Sequence, residues 1–301
     1  MLSSVKRHKV NAFVLFLTLC AVLGACKEEG SFEPKDFQWL DRPVPFLSKS
    51  KNLSEIVLEP EGLEFLRKIK TPVSIVTFIG MSRSGKSFSI DHLLGIDPHK
   101  GFKVGHTINP ETRGAELWGR PINMHFLGSK QNRTSVLILD TEGLGASLSN
   151  YDKSILFFSV LMSSRVVYHL NENINNDDIT RLYSIINLVE MFKKEKISTV
   201  NLPYISWVVQ RFTLGLPAGY TPLDVLFKKK LVEIPNPTND EGISQFNETV
   251  RVVRSEFRDH SVFFIPPASK NVDDYVVSNS LLYFIQPTCY IYRLIVFIAS
   301  S

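Results

Sequence analysis

One eight-residue loop constrains this chain more than any other feature. Gly80-Met-Ser-Arg-Ser-Gly-Lys-Ser87 fits the pattern G-x-x-x-x-G-K-[ST]. It lies between the β-branched run Val73 to Ile79 and a stretch from Ser87 to Leu94 that reads as a helix. Strand, glycine loop and helix in that order make a phosphate cradle. Gly80 and Gly85 let the backbone wrap the phosphates, and the N–H groups of the loop, Ser84 included, join the helix N-terminus in meeting their charge. Lys86 is spaced to reach the β- and γ-phosphates, and the Ser87 hydroxyl to ligate Mg²⁺.

The surrounding chain alternates between strand and helix patterns. Val73 to Ile79 is apolar without alternation, as a strand buried on both faces should be. Ser135 to Leu139, Arg165 to Leu170, Tyr204 to Phe212 and Ser261 to Ile265 read as further strands. Glu61 to Lys70, Asp152 to Met162, the stretch from Asp177 and Asp240 to Arg258 read as helices; Ile179, Leu182, Ile185, Ile186, Val189 and Phe192 recur at helical spacing. The expected fold class is α/β, a P-loop domain with a mostly parallel central sheet flanked by helices. The expected boundaries are a leader at 1–26, a linker at 27–60, the domain at 61–270 and an apolar tail at 271–301.

The second buried strand ends in Asp140-Thr-Glu-Gly143. An acidic residue at such a strand tip holds a metal-bound water opposite the loop's hydroxyl, here Ser87, and the Gly143 N–H is then free to meet the γ-phosphate. Together the two motifs specify a phosphate-bound nucleotide with Mg²⁺. Between them runs Gly105-His-Thr-Ile-Asn-Pro-Glu-Thr-Arg-Gly114. A threonine in this place closes on Mg²⁺ and the γ-phosphate and lets go after hydrolysis, and both Thr107 and Thr112 qualify.

Composition excludes several classes. With 44% apolar and 21% charged residues, the 301-residue chain is neither a disordered tail nor a polytopic membrane protein. A net charge of +4 without a long basic block gives no reason to expect nucleic acid as a partner. Cys20, Cys26 and Cys289 all lie in the terminal segments, so the body of the protein has no disulfide framework.

The N-terminus has a basic start, an apolar run from Ala12 to Leu23 and the small residues Gly24 and Ala25, the pattern of a signal peptide or an uncleaved signal anchor. Leu23-Gly24-Ala25-Cys26 also resembles a bacterial lipoprotein box. The apolar end from Leu281 is long enough for one membrane crossing but carries Gln286, Pro287 and Arg293. Membrane association and a secretory or endomembrane location follow as expectations, with the cytoplasmic face of a membrane as the alternative. The triplets beginning at Asn52, Asn132 and Asn247 become glycosylation acceptors only if the leader is real in a eukaryote.

These motifs together resemble one family: the guanylate-binding proteins, relatives of the atlastins among dynamin-like large GTPases. The resemblance rests on Gly80 to Ser87, Gly105 to Gly114 and Leu137-Ile-Leu-Asp-Thr-Glu-Gly-Leu-Gly145, with support from Leu161 to Tyr168 and Trp207 to Leu214, and spans about residues 45–270. It implies a Mg²⁺-dependent domain that binds GTP and GDP, hydrolyses GTP and forms a homodimer through its nucleotide face when GTP is bound. Arg83 matches the family's internal arginine finger, Thr112 its Mg²⁺-sensing threonine, and Glu142 an acidic residue that helps organise the attacking water. The implied catalytic set is Arg83, Lys86, Thr112 and Glu142; the implied nucleotide-binding set is Gly80, Arg83, Ser84, Gly85, Lys86, Ser87, Gly143, Gln210 and Arg211; the implied metal set is Ser87, Thr112 and Asp140.

Two departures stand out. On the Tyr204 to Phe212 strand the family carries Arg-Asp, whose aspartate accepts the guanine N1–H and N2–H bonds. Here the string is Gln210-Arg211, with the aspartate either replaced by Arg211 or deleted after it. Pro110 stands where the family has a serine near the attacking water. The long helical region that follows the domain in the family is not expected within this chain. A nucleotide-binding scaffold with weak hydrolysis and relaxed base specificity is therefore the alternative function.

Overall fold

Val73 begins β3 (Val73–Gly80), and six of its eight residues are buried, as an apolar run without alternation requires. In this computed structural model, which describes residues 39–49, 56–96, 100–103, 114–125, 133–144, 149–194 and 202–265, β3 is the centre of the sheet. β6 (Arg133–Thr141) and β7 (Arg165–Asn171) flank it in parallel, and β8 (Tyr204–Gln210) and β9 (His260–Ile265) continue the parallel series. The expected strands are all present, and the α/β class stands.

The sheet is wider than the sequence suggests. Among the described residues it has nine strands in the order β2-β1-β4-β6-β3-β7-β8-β9, with β5 beside β6. β1 (Pro43–Lys49), β2 (Ile56–Leu58), β4 (Ala115–Trp118) and β5 (Ile122–His125) all pair antiparallel. This corrects the linker assigned to 27–60, because its second half is structural: Val44, Phe46 and Leu47 of β1 are buried. Pro43 and Pro45 hide the strand, since proline has no N–H to give a ladder. The structure accommodates them at an irregularity, with the β1–β4 register slipping between Pro45 and Leu47. At that slip the Phe46 carbonyl accepts instead from the Glu59 N–H at 2.9 Å.

Helices cover both faces. α2 (Lys86–Leu94) lays Ile90 and Leu93 on Val76 and Phe78 of β3 and Val167 of β7. On the opposite face α3 (Asn150–Leu161), α4 (Asn176–Lys194) and α6 (Glu241–Glu256) cover Ile79, Val166, Tyr168 and Trp207. Ile179, Leu182 and Ile186 of α4 are buried as their spacing predicts, each contributing roughly 1.5–3 kcal/mol. α1 (Pro60–Lys68) brings Phe65 to a third cluster with Val44, Ile75 and Leu137. Between β8 and α6 lie a short α5 (Pro222–Val225) and a π-helical turn at Leu226–Lys230.

Among the described residues no helix is long and apolar enough to cross a membrane. The leader, the apolar tail, Asn52 and Asn132 lie outside the described residues. Asn247 is inside α6, where its amide donates to the Ile234 carbonyl at 2.8 Å and accepts from the Ile234 N–H at 2.7 Å. A glycan on that nitrogen would break this clasp, so the third triplet is structural.

Two buried imidazoles give the core an acid sensitivity. His260 accepts the Trp207 indole N–H through Nδ1 at 3.2 Å and stacks on that ring. Burial lowers its pKa to about 4. His169 on β7 lies beside Phe78 and is lowered to about 3, first by burial and then by the Lys86 charge. The unfolded chain takes up protons at an ordinary histidine value near 6.5, which the folded state refuses. Stability from these groups is therefore complete at neutral pH and is lost as pH falls below about 6.5. For His260 the expected loss at pH 5 is ~2 kcal/mol. Asp91, raised to about 6 by burial, works in the opposite sense, so the effect should be read as a difference. Denaturant midpoints of the parent and His260→Gln, compared at pH 7 and 5, should converge on acidification; parallel midpoints would refute it.

Candidate functional site

The loop between β3 and α2 is held by glycine geometry and by three neighbouring strands. Gly80 has φ +146°, and a side-chain carbon there would lie 2.2 Å from the His169 carbonyl of β7. Gly85 has φ +84°, in the left-handed region, and starts α2 by accepting the Ser89 N–H at 2.9 Å. A side-chain carbon on Gly85 would lie 2.5 Å from Gln210 Oε1. Both loop glycines are therefore fixed by close approach as well as by φ.

The Asp140-Thr-Glu-Gly143 turn is tied directly to this loop. Ser82 donates its N–H to the Leu144 carbonyl at 3.1 Å and its hydroxyl to the Gly143 carbonyl at 2.9 Å. Leu144 returns its N–H to the Gly80 carbonyl at 3.0 Å. Gly143 comes so near that a side-chain carbon would sit 2.3 Å from Ser82 Cα. The two motifs read separately in the sequence are one unit in space.

The charged groups converge there. Lys86 is buried beneath the loop, its ammonium donating to the Gly80 carbonyl at 3.3 Å and the Met81 carbonyl at 3.1 Å. Burial lowers its pKa, against the opposing pull of Asp140 and Glu142. The Ser87 hydroxyl donates to Asp140 Oδ2 at 2.6 Å. Glu142 takes the Gly114 N–H on Oε2 at 3.0 Å and gives its own N–H to the Gly114 carbonyl at 2.7 Å. It thereby holds the end of the 105–114 stretch. Arg83 is exposed at the crest of the loop in a left-handed conformation, φ +63°.

The oxygen donors suit a hard cation. Ser87 and Asp140 supply a hydroxyl and a carboxylate, the ligand type Mg²⁺ takes when phosphates and water complete its shell. Among the described residues no group of three His, Cys, Asp or Glu could hold a metal alone. Thr107, Thr112 and Pro110 lie outside the described residues. Gln210 ends β8 with its amide donating to the Ser89 hydroxyl at 2.6 Å, which makes it a brace between sheet and loop. Arg211 follows in a left-handed conformation, φ +56°, with its side chain exposed.

Sequence reasoning missed three neighbours of this site. Glu116 stands opposite Asp140 across the β4–β6 ladder, and its pKa is raised by burial and then by that carboxylate. Asp91 of α2, also buried, accepts the Phe102 N–H at 2.8 Å. His169 pairs with Gly80 across β7–β3. Only strand register brings Glu116 and His169 here, and no local pattern announces it.

Residues 53–279 match the family model described as the guanylate-binding protein N-terminal domain. The chain is 31% identical over 225 residues to guanylate-binding protein 4 of Homo sapiens, covering 69% of this chain and 34% of that protein. It is 27% identical over 246 residues to guanylate-binding protein 2 of Homo sapiens, covering 77% and 40%. Against guanylate-binding protein 5 of Mus musculus it is 30% identical over 192 residues, covering 59% and 31%. The chain thus spans about a third of the length of the curated relatives it matches.

Proposed function

Because this chain belongs to the guanylate-binding protein family, we propose that it binds GTP with Mg²⁺ and hydrolyses it. The observation that carries the reading is the Ser87–Asp140 contact at the mouth of a loop with Lys86 buried beneath it. In this reading the loop N–H groups and the start of α2 take the phosphate charge, a role for which unpaired helix N–H groups are suited. Lys86 exchanges its two carbonyl partners for phosphate oxygens, and its burial leaves that interaction poorly screened. Ser87 and Asp140 would hold Mg²⁺, which when bound would supply neutralisation of the charge that develops on the phosphates.

The remaining residues act by positioning. Glu142 anchors Gly114, and Thr112 is assigned the role of the threonine that senses Mg²⁺ and the γ-phosphate. Catalysis needs no covalent intermediate, only placement and charge stabilisation. Arg83 completes the site when two chains meet face to face, and its guanidinium then offsets charge developing in the transition state. The apolar ends outside the described residues are proposed to bring the protein to an endomembrane or secretory compartment, which carbonate extraction of the full chain checks.

Titration of the purified full chain with GTP and Mg²⁺, with phosphate release recorded alongside, tests the proposal. Tight binding and turnover, rising per chain with protein concentration, are the expected results. Arg211 at the end of β8 favours a second reading, a nucleotide-binding scaffold. Tight binding with no release would select that scaffold, and failure to bind any triphosphate would remove both readings.

A further inference from the structure

We propose that Arg211 reads the base of the bound nucleotide and does so on its acceptor edge, gripping guanine by O6 and N7. This rests on the reading above, in which the phosphates lie on Gly80 to Ser87.

Position comes first. Ligands of open α/β sheets bind beyond the carboxyl ends of the strands. The loop leaves the carboxyl end of β3, and Arg211 leaves that of β8, two strands away through β7. Two strand spacings amount to roughly 10 Å, the scale on which a sugar separates base from phosphates. Gln210 fixes the relation, because its amide bonds Ser89 in the first turn of α2 while its oxygen closes on Gly85.

Backbone comes second. A left-handed conformation is unfavourable for a residue with a side chain, because it brings Cβ too close to the following carbonyl oxygen. Arg211 is held in it by both flanks. The Gln210 carbonyl accepts the Glu172 N–H at 2.7 Å, and the Phe212 N–H donates to the Ile265 carbonyl at 3.0 Å. The Phe212 ring stacks on Phe264 at 4.1 Å. An exposed arginine is therefore set at the rim on a backbone its neighbours immobilise. Backbone strain of this kind collects at ligand clamps.

Chemistry decides the edge. A guanidinium carries five donors and no acceptor, and keeps its charge. It has nothing to offer the guanine N1–H and N2–H groups. Side by side on the other edge, O6 and N7 are both acceptors and match the guanidinium fork. Adenine keeps N7 but sets an N6 amino donor beside it, which the fork meets donor to donor. Guanine preference is thus retained through a different pair of atoms.

The full chain with Mg²⁺ should be titrated with GTP, ITP, 7-deaza-GTP, ATP and inorganic tripolyphosphate. ITP lacks only the N2 amino group and should bind within about three-fold of GTP, because that group is not read. Removing N7 or O6 breaks the fork, so 7-deaza-GTP and ATP should bind roughly ten-fold or more weakly. In Arg211→Ala the GTP to 7-deaza-GTP ratio should collapse towards one; Arg211→Lys, with charge but no fork, should recover it only in part. The parent titrations alone decide if a variant fails to fold. Strong rejection of ITP with indifference to N7 would overturn the proposal, since it would mean a carboxylate such as Glu172 reads the other edge. GTP binding no tighter than tripolyphosphate would overturn it too, while leaving the phosphate site standing. Failure of tripolyphosphate and every nucleotide to bind would remove the phosphate reading and this proposal together.

Discussion

Lys86→Met is expected to abolish measurable GTP binding at micromolar protein while leaving the fold intact. Charge-assisted hydrogen bonds contribute about 1.5–3 kcal/mol each, so losing those of one buried ammonium should weaken binding by about two orders of magnitude or more. Stability should not follow affinity down. Burial lowers the Lys86 pKa, so the folded state already carries this charge at a cost. Methionine keeps the buried stem and removes the charge, and the Gly80 and Met81 carbonyls lose one donor in exchange. Thermal unfolding of the ligand-free variant should match or exceed the parent, and added GTP should no longer raise the midpoint. A variant that unfolds early yet still binds would place the phosphates elsewhere.

Arg83→Ala should separate binding from turnover. The side chain is exposed on the crest of the loop, whereas Lys86 and the Ser87–Asp140 pair form the proposed phosphate and cation site. GTP affinity should change by no more than a few-fold. Arginine fingers contribute 10³–10⁵ in rate in related phosphoryl-transfer enzymes, so phosphate release per chain should fall by about 10³. The same substitution should remove the dependence of rate on protein concentration, if the residue acts when two chains meet. A loss under ten-fold with concentration dependence retained would rule out the finger role.

The parts of this site that are contiguous in the chain could be read directly. Gly80 to Ser87 and Asp140 to Gly143 carry their geometry in local chemistry: glycines at left-handed or crowded positions, a lysine and a hydroxyl at a helix start, an acid at a strand tip. The long apolar strands were legible for a similar reason, since a strand buried on both faces needs no alternation. What escaped depends on partners far away in sequence. β1 escaped because two prolines imitate a linker and β4, the strand that joins it to the rest of the sheet, begins only at Ala115. Glu116 reaches Asp140 only through an antiparallel register, and Gln210 braces Ser89 across 121 residues. A motif search sees which residues can touch a phosphate, whereas only the assembled sheet shows what holds them still.

The place of β3 at the middle of the sheet sets the order in which the chain can mature. Its two neighbours, β6 and β7, are made about 60 and 90 residues after it, and the brace from Gln210 later still. Closing such long loops costs entropy before any contact repays it, and parallel pairings of this kind form slowly. The loop at Gly80 leans on the His169 carbonyl, the Gly143 turn and Gln210, so during synthesis it has no fixed shape until the ribosome has passed all three. Nucleotide arriving early finds nothing to hold. Nucleotide bound at the proposed site would act on the finished molecule, as a brake on unfolding that leaves the rate of folding unchanged.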